Sequence, residues 1–163
     1  MLLDIKKIFS AYDAPVKAVE SVDLSGEDFP GYEVPDPVEA EFSLTLDGRV
    51  VELGLKFQVL VSYECARCLD PSRQTFPVER FYSIREADLE DQDAELPFTP
   101  DGKLDTHELV YSEILLEIPS VLLCSEDCAG LCPVCGRKKP CACTHGTNDA
   151  ADERLSILKQ LLS

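Results

Sequence analysis

The chain has 163 residues, enough for one ordinary domain that buries about two thirds of the surface its unfolded form exposes. Fifteen Lys and Arg against 31 Asp and Glu leave a net charge of −16, which argues against a protein that coats nucleic acid or an anionic membrane through a basic face. No segment approaches the roughly 20 consecutive apolar residues of a spanning helix, and the start Met1-Leu2-Leu3-Asp4-Ile5-Lys6-Lys7 lacks a secretory signal, so the expected location is cytoplasmic.

In chain order, residues 1–25 form a short apolar and basic opening that periodicity alone leaves open between helix and strand. Gly26 to Pro37 is rich in Pro, Gly and acid and reads as a loop. Residues 38–84 form the β-rich half. Phe42, Leu44 and Leu46 alternate, Asp47-Gly48 marks a hairpin, and Val51, Leu53, Leu55, Phe57, Val59, Val61 and Tyr63 keep period two along one face of a long strand. Gly54 inside that run suggests a bulge. A third strand over Gln74 to Ile84 follows the turn at Cys65 to Ser72 and completes a meander.

Residues 85–105 carry Glu86, Asp88, Glu90, Asp91, Asp93, Glu95, Asp101 and Asp105 and read as an acidic, solvated linker. Residues 106–163 hold the rest. Asp105 is placed to cap a helix, with Glu108 completing a capping-box pattern. Val110, Ile114 and Ile118, flanked by Tyr111 and Leu115, give that helix an apolar face, and Pro119 ends it. A cysteine-rich arm over 124–143 leads to a closing amphipathic helix from Asp152 to Leu162.

Eight cysteines in a chain expected to sit in a reducing compartment point to metal rather than to disulfides. Cys132-Pro133-Val134-Cys135-Gly136 has the form of a zinc knuckle, in which two thiolates grip one ion and the glycine lets the backbone turn beneath them. Cys124 and Cys128 lie upstream and Cys141 and Cys143 downstream, either pair able to complete a structural four-cysteine site. Cys65-Ala66-Arg67-Cys68 is a possible second pair. One site drawn from Cys124 to Cys143 with thiols left over is the simpler expectation, and two sites using all eight thiols is the alternative. A redox role for Cys65 and Cys68 is disfavoured, because the motif follows a meander instead of opening a helix in a βαβ unit. His145 could replace a thiolate as ligand, and His107 is expected as an exposed residue of the first helical turn. No Ser, His and acid spacing, glycine-rich phosphate loop or tuned carboxylate pair is present, so an enzyme is not expected and no small-molecule substrate is evident.

Taken together, Cys65-Ala-Arg-Cys68-Leu69-Asp70-Pro71 after a β-rich half, the acidic spacer, Glu108 to Pro119, then Leu123-Cys124-Ser-Glu-Asp-Cys128-Ala-Gly130-Leu131-Cys132-Pro133-Val-Cys135-Gly136, Cys141-Ala-Cys143 and Asp152-Glu-Arg154-Leu155 make the chain resemble the YceD family. These are the large ribosomal RNA subunit accumulation proteins. The resemblance implies one domain over residues 1–163 and a non-enzymatic factor needed for 23S ribosomal RNA accumulation and large-subunit assembly. It transfers no catalytic residue. The partner it implies is large-subunit rRNA or a basic large-subunit ribosomal protein, and no membrane.

Two modes of contact follow from charge. An acidic body can bind or shield a basic ribosomal protein. Alternatively, Arg137, Lys138 and Lys139 on the knuckle, or Arg67, Arg73, Arg80 and Arg85 around the first C-x-x-C, could meet rRNA phosphates locally, since screening limits the reach of charge elsewhere to about 8 Å. The fold expected is α+β: an antiparallel meander or partial barrel, two packed helices and a cysteine-rich arm binding one or two zinc ions.

Overall fold

A computed structural model describes residues 2–10, 15–91 and 95–143. The fold is α+β, built on one twisted antiparallel sheet. Strand β1 (Leu2–Asp4) runs into helix α1 (Ile5–Ser10), and β2 (Val16–Val22), β3 (Tyr32–Glu33), β4 (Val38–Asp47), β5 (Val50–Glu64) and β6 (Pro71–Arg85) follow. After a single 3-10 turn at Glu86–Leu89 come β7 (Lys103–Asp105) and α2 (Thr106–Glu117). The main sheet runs β2-β4-β5, with β6 on the other side of β5 and the short β3 pairing the end of β5 beyond β4. β2 and β6 do not pair, so the sheet is open and not a closed barrel.

Period-two patterning decides which face is buried. Val51, Leu53, Leu55, Val59 and Val61 are at most 1 % exposed, while Glu52, Lys56 and Gln58 between them face solvent. Ile5 of α1, Leu24, Leu104 and the inner residues of α2 cover that apolar face. Among the described residues no helix or loop packs on the opposite face, where Val19 and Phe81 are exposed, so the described part is a single layer of strands with helices and loops on one side. The turn between β4 and β5 lies at Gly48 and Arg49, where Asp47 pairs Val50 and Gly48 takes φ +63°.

Several sequence expectations need correction. Gly54 is no bulge: Ser43, Gly54 and Phe81 stand in continuous register across three strands. A Cβ there would lie 2.5 Å from Ser43 Oγ, so the serine would have to rotate away from the Gly54 carbonyl to which it donates, and 3.4 Å from the Phe81 ring. The Pro- and Gly-rich loop contributes β3 and buries Phe29, Tyr32 and Val34. The acidic stretch 85–105 is only partly solvated, since Leu89, Leu96 and Leu104 enter the core and β7 pairs with β1. Those apolar residues are few, and the surrounding charge masks them in a composition count.

Helix α2 begins where expected. The Asp105 carboxylate accepts the N–H groups of His107 and Glu108 at 3.1 and 3.4 Å. The Asp105 N–H goes to the Pro97 carbonyl, at 2.9 Å, in place of the Glu108 side chain of a capping box. The buried face is Thr106, Leu109, Val110, Glu113 and Ile114, and Leu115 points outward. Glu113 is 5 % exposed. Arg80 of β6 reaches it at 3.0 Å and Glu117 at 2.7 Å, and the Tyr82 hydroxyl donates to it. This network fastens α2 to the sheet, and it takes Arg80 out of the set of cations free to meet phosphate. The helix expected over Asp152 to Leu162, and His145, lie outside the described residues.

Candidate metal centres

The eight thiols gather in two quartets, each with its sulfurs all within 4.8 Å of one another: Cys65, Cys68, Cys124 and Cys128, and Cys132, Cys135, Cys141 and Cys143. The single site expected within Cys124 to Cys143 does not describe this arrangement. The knuckle at Cys132 takes its partners from downstream, and the upstream pair Cys124 and Cys128 turns back to the end of β5. None of the eight is joined in a disulfide.

The same local turn builds both knuckles. In the first, the Leu69 N–H donates to the Cys65 carbonyl and the Cys65 N–H to the Asp70 carbonyl, both at 2.9 Å. In the second, the Gly136 N–H donates to the Cys132 carbonyl at 2.8 Å and the Cys132 N–H to the Arg137 carbonyl at 2.7 Å. The residue after the second cysteine is left-handed in each, at φ 60° for Leu69 and 69° for Gly136. Sequence reading recognised the glycine but missed Leu69, whose side chain hides the shared backbone path.

The first quartet is buried except for a half-buried Cys124. It is reached from two directions, by the β5–β6 turn and by the segment after α2. Main-chain and side-chain bonds stitch these together: the Ala66 N–H to the Leu122 carbonyl at 2.9 Å, the Tyr63 hydroxyl to the Leu123 carbonyl at 2.9 Å, and Arg67 to the Glu126 and Cys128 carbonyls at 3.3 and 3.0 Å. Cys65 and Cys128 sulfurs stand 3.8 Å apart, Cys68 and Cys124 3.6 Å. These are non-bonded separations, far beyond the roughly 2.05 Å of a disulfide.

One thiol of each quartet is set up as an anion. The Cys124 N–H, helped by those of Arg67 and Cys68, brings Cys65 down to about 6 against the opposing effect of burial. Cys132 falls to about 6 because its sulfur faces the N–H groups of Cys135 and Val134, each at 3.4 Å. The Asp70 N–H favours the thiolate of Cys68, yet burial and the neighbouring thiols push it up to about 12. The thiol of Cys135, then burial and Cys141, push Cys143 to about 12 as well. Four thiolates cannot share so small a volume without a cation among them. A soft divalent metal resolves that conflict by displacing the remaining protons, so each quartet could hold one ion.

Arg137, Lys138 and Lys139 lie on the strip that closes the second knuckle. Lys138 is bound to the Asp70 carboxylate, which joins the two knuckles across the arm, and Arg137 is exposed. The Lys139 N–H donates to the Gly130 carbonyl at 3.0 Å. Of the four arginines around the first C-x-x-C, Arg67 belongs to the quartet's frame and Arg73 borders a hollow beside Cys124. Arg80 and Arg85 lie toward the far end of β6. His107, half exposed, has Nε2 3.3 Å from the Asp23 carbonyl and 3.9 Å from Glu27, remote in role from both quartets.

A family model described as large ribosomal RNA subunit accumulation protein YceD matches residues 53–162, a span that contains all eight cysteines. Uncharacterized proteins of Mycobacterium tuberculosis strain H37Rv and of Mycobacterium bovis are each 36% identical over 77 residues, which is 45% of this chain. The matched segment is 37% of each relative's length, so the chain spans well under half of these proteins. No solved structure matches the chain.

Proposed function

Because this chain belongs to the YceD family of large ribosomal RNA subunit accumulation proteins, we propose that it is a non-enzymatic cytoplasmic factor for 23S rRNA accumulation and large ribosomal subunit assembly. We further propose that its arm is folded around two structural zinc ions. The observation that carries the ribosomal reading is the family match across residues 53–162. The zinc reading rests on the donor sets. A tetrahedron of sulfurs about 2.3 Å from zinc has edges of about 3.8 Å, and the first quartet already spaces Cys65 from Cys128 by 3.8 Å and Cys68 from Cys124 by 3.6 Å. Four thiolates fill such an ion's coordination and leave no position for a reactive water, which is the pattern of a structural centre. Zinc there would supply cross-linking of chain segments, and the residues around it would fix ligand orientation through their N–H groups.

Contact of Arg137, Lys138 and Lys139 with rRNA is a second reading. It is weakened because Lys138 is held by Asp70, and the carboxylates behind a charge of −16 repel RNA phosphates that come within about a Debye length of them.

Depleting the protein from its host tests the assembly role. The 23S to 16S rRNA ratio and the large-subunit peak in a sucrose gradient should both fall and return on complementation; unchanged profiles would reject it. Metal analysis with thiol counting tests the centres. Two equivalents of zinc and no reactive thiol are expected from native protein, and one equivalent with four reactive cysteines would reject the paired arrangement.

A further inference from the structure

At the end of the sheet, beside the first quartet, lies an open groove of about 810 Å³ between the loop after β2, strand β3 and the last residues of β5. Glu27, Asp28, Glu33 and Glu64 line it, and no Lys or Arg does. All four acids are exposed. His107 approaches Glu27 at 3.9 Å, whereas Asp28, Glu33 and Glu64 meet no cation among the described residues.

The placement of these acids is unfavourable in the free protein. Glu33 stands opposite Ser62 in the β3–β5 ladder, so Glu33 and Glu64 are diagonal neighbours on one face, where like charges repel. A cationic occupant relieves that repulsion.

The chemistry of the occupant follows from how the acids are spread. They do not converge as the ligands of one ion would: among the described residues, the groups able to surround a metal are the two cysteine quartets. RNA would bring phosphates against four carboxylates. What matches is an array of cations at intervals. The groove also offers backbone, because β3 ends the strand order and no strand pairs its outer side among the described residues. Exposed Pro35 and Pro71 supply apolar wall. An unpaired edge and apolar wall suit an extended peptide better than a small polyamine.

We propose that this groove docks an extended lysine- or arginine-rich protein segment, its cations meeting Glu27, Asp28, Glu33 and Glu64. The inference deepens the ribosomal reading and rests on it only for the source of the partner, a basic protein of the large subunit. The groove shares its wall with the metal centre, since Glu64 precedes Cys65 and Tyr63 holds the Leu123 carbonyl.

The test uses the full-length, metal-loaded protein and a fluorescent 12-residue Lys- and Arg-rich peptide, with binding read by anisotropy. Glu33→Gln with Glu64→Gln should weaken binding about tenfold or more, whereas Glu39→Gln with Glu41→Gln, exposed on the open face of the sheet, removes the same charge and should change it less than about twofold. Matching thermal melts establish that both variants fold. Equal weakening by the two variants would reduce the effect to net charge and overturn the groove. Failure of the wild type to bind the peptide, displacement of the peptide by spermidine at equal charge, or binding of a 12-nucleotide RNA sensitive to the groove variant would also overturn it. Normal 23S rRNA levels after depletion would overturn the ribosomal reading and leave peptide binding standing, so the two failures are distinguishable.

Discussion

The first quartet ties together cysteines 56 and 63 positions apart in the chain and lies against the sheet, whereas the second is closed within Cys132 to Cys143 and leaves Cys135 exposed. The two use the same pair of backbone bonds beneath the knuckle. Local sequence therefore makes the turn, and its surroundings decide what an ion would do there. In the first, the ion would pin the arm to β5 and α2; in the second, it would shape a surface knob whose main tether to the body is Lys138 on Asp70.

The largest predicted effect breaks that contrast directly. Replacing Cys65 and Cys124 by Ser should reduce zinc from two equivalents to one and detach the arm. A structural zinc contributes on the order of 10 kcal/mol; loss of about half of that lowers the melting temperature by about 10–20 °C in a domain of this size. Replacing Cys135 and Cys143 should also remove one equivalent yet move the main transition by no more than about 3 °C, because among the described residues none of this quartet belongs to the main core cluster. Calorimetry paired with metal analysis checks both. Equal shifts would mean that the knob and the sheet unfold as one unit.

A second variant asks how far α2 holds the arm without metal. Glu113→Ala leaves Arg80 and the Tyr82 hydroxyl without their buried partner. Breaking a buried pair costs about 3–5 kcal/mol, and with the Arg80 side chain 37% exposed a loss of about 2–3 kcal/mol is expected. Glu113→Gln, which keeps an acceptor, should lose about 1 kcal/mol. Zinc release to a chelator should quicken at the first quartet in the Ala variant and stay unchanged at the second; quickening at both would erase the distinction.

Much of the sheet was legible because β5 has one buried face, and a single buried face forces alternation from Val51 to Tyr63. The start of α2 was legible because Asp105 caps it through its own side chain. The pairing of thiols was not. Closure entropy rises only slowly with loop length, so spacing alone gives little reason to prefer Cys141 over Cys124 as partner of Cys132. What decides is tertiary: the Ala66 N–H and Tyr63 hydroxyl draw Leu122 and Leu123 to the end of β5, and Cys124 follows. Glu113 was hidden for a similar reason, since its burial depends on an arginine 33 residues away. The groove acids were counted in the net charge, but their gathering needs β3, which the Pro- and Gly-rich composition concealed.

Glycine substitutions sharpen the comparison at smaller scale. Gly130 and Gly136 share a left-handed φ of about +70°, so alanine at either carries a backbone penalty of about 1 kcal/mol. At Gly130 the new Cβ would also press the Arg67 carbonyl at 3.1 Å, where the arm meets the first knuckle, while at Gly136 nothing lies within 4 Å. Net of the roughly 0.5–1 kcal/mol that alanine gains by stiffening the unfolded chain, Gly130→Ala should destabilise by about 1 kcal/mol or more and Gly136→Ala by less than about 0.5 kcal/mol, read from urea midpoints at constant zinc.

The smallest effect expected is at Leu69, the counterpart of Gly136. Leu69 holds φ 60° although the residue is 59% exposed. Leu69→Gly removes left-handed strain of about 1 kcal/mol and adds unfolded-chain entropy of about 0.5–1 kcal/mol, so stability should change by less than about 0.5 kcal/mol. Gly136→Leu carries both terms with the opposite sign. The same exchange in two copies of one turn should thus leave the first knuckle near neutral and give a comparably small change in the second. A loss above about 2 kcal/mol on Leu69→Gly would show that the leucine side chain has a packing role in the buried centre, and that the two knuckles differ in their turns as well as in their surroundings.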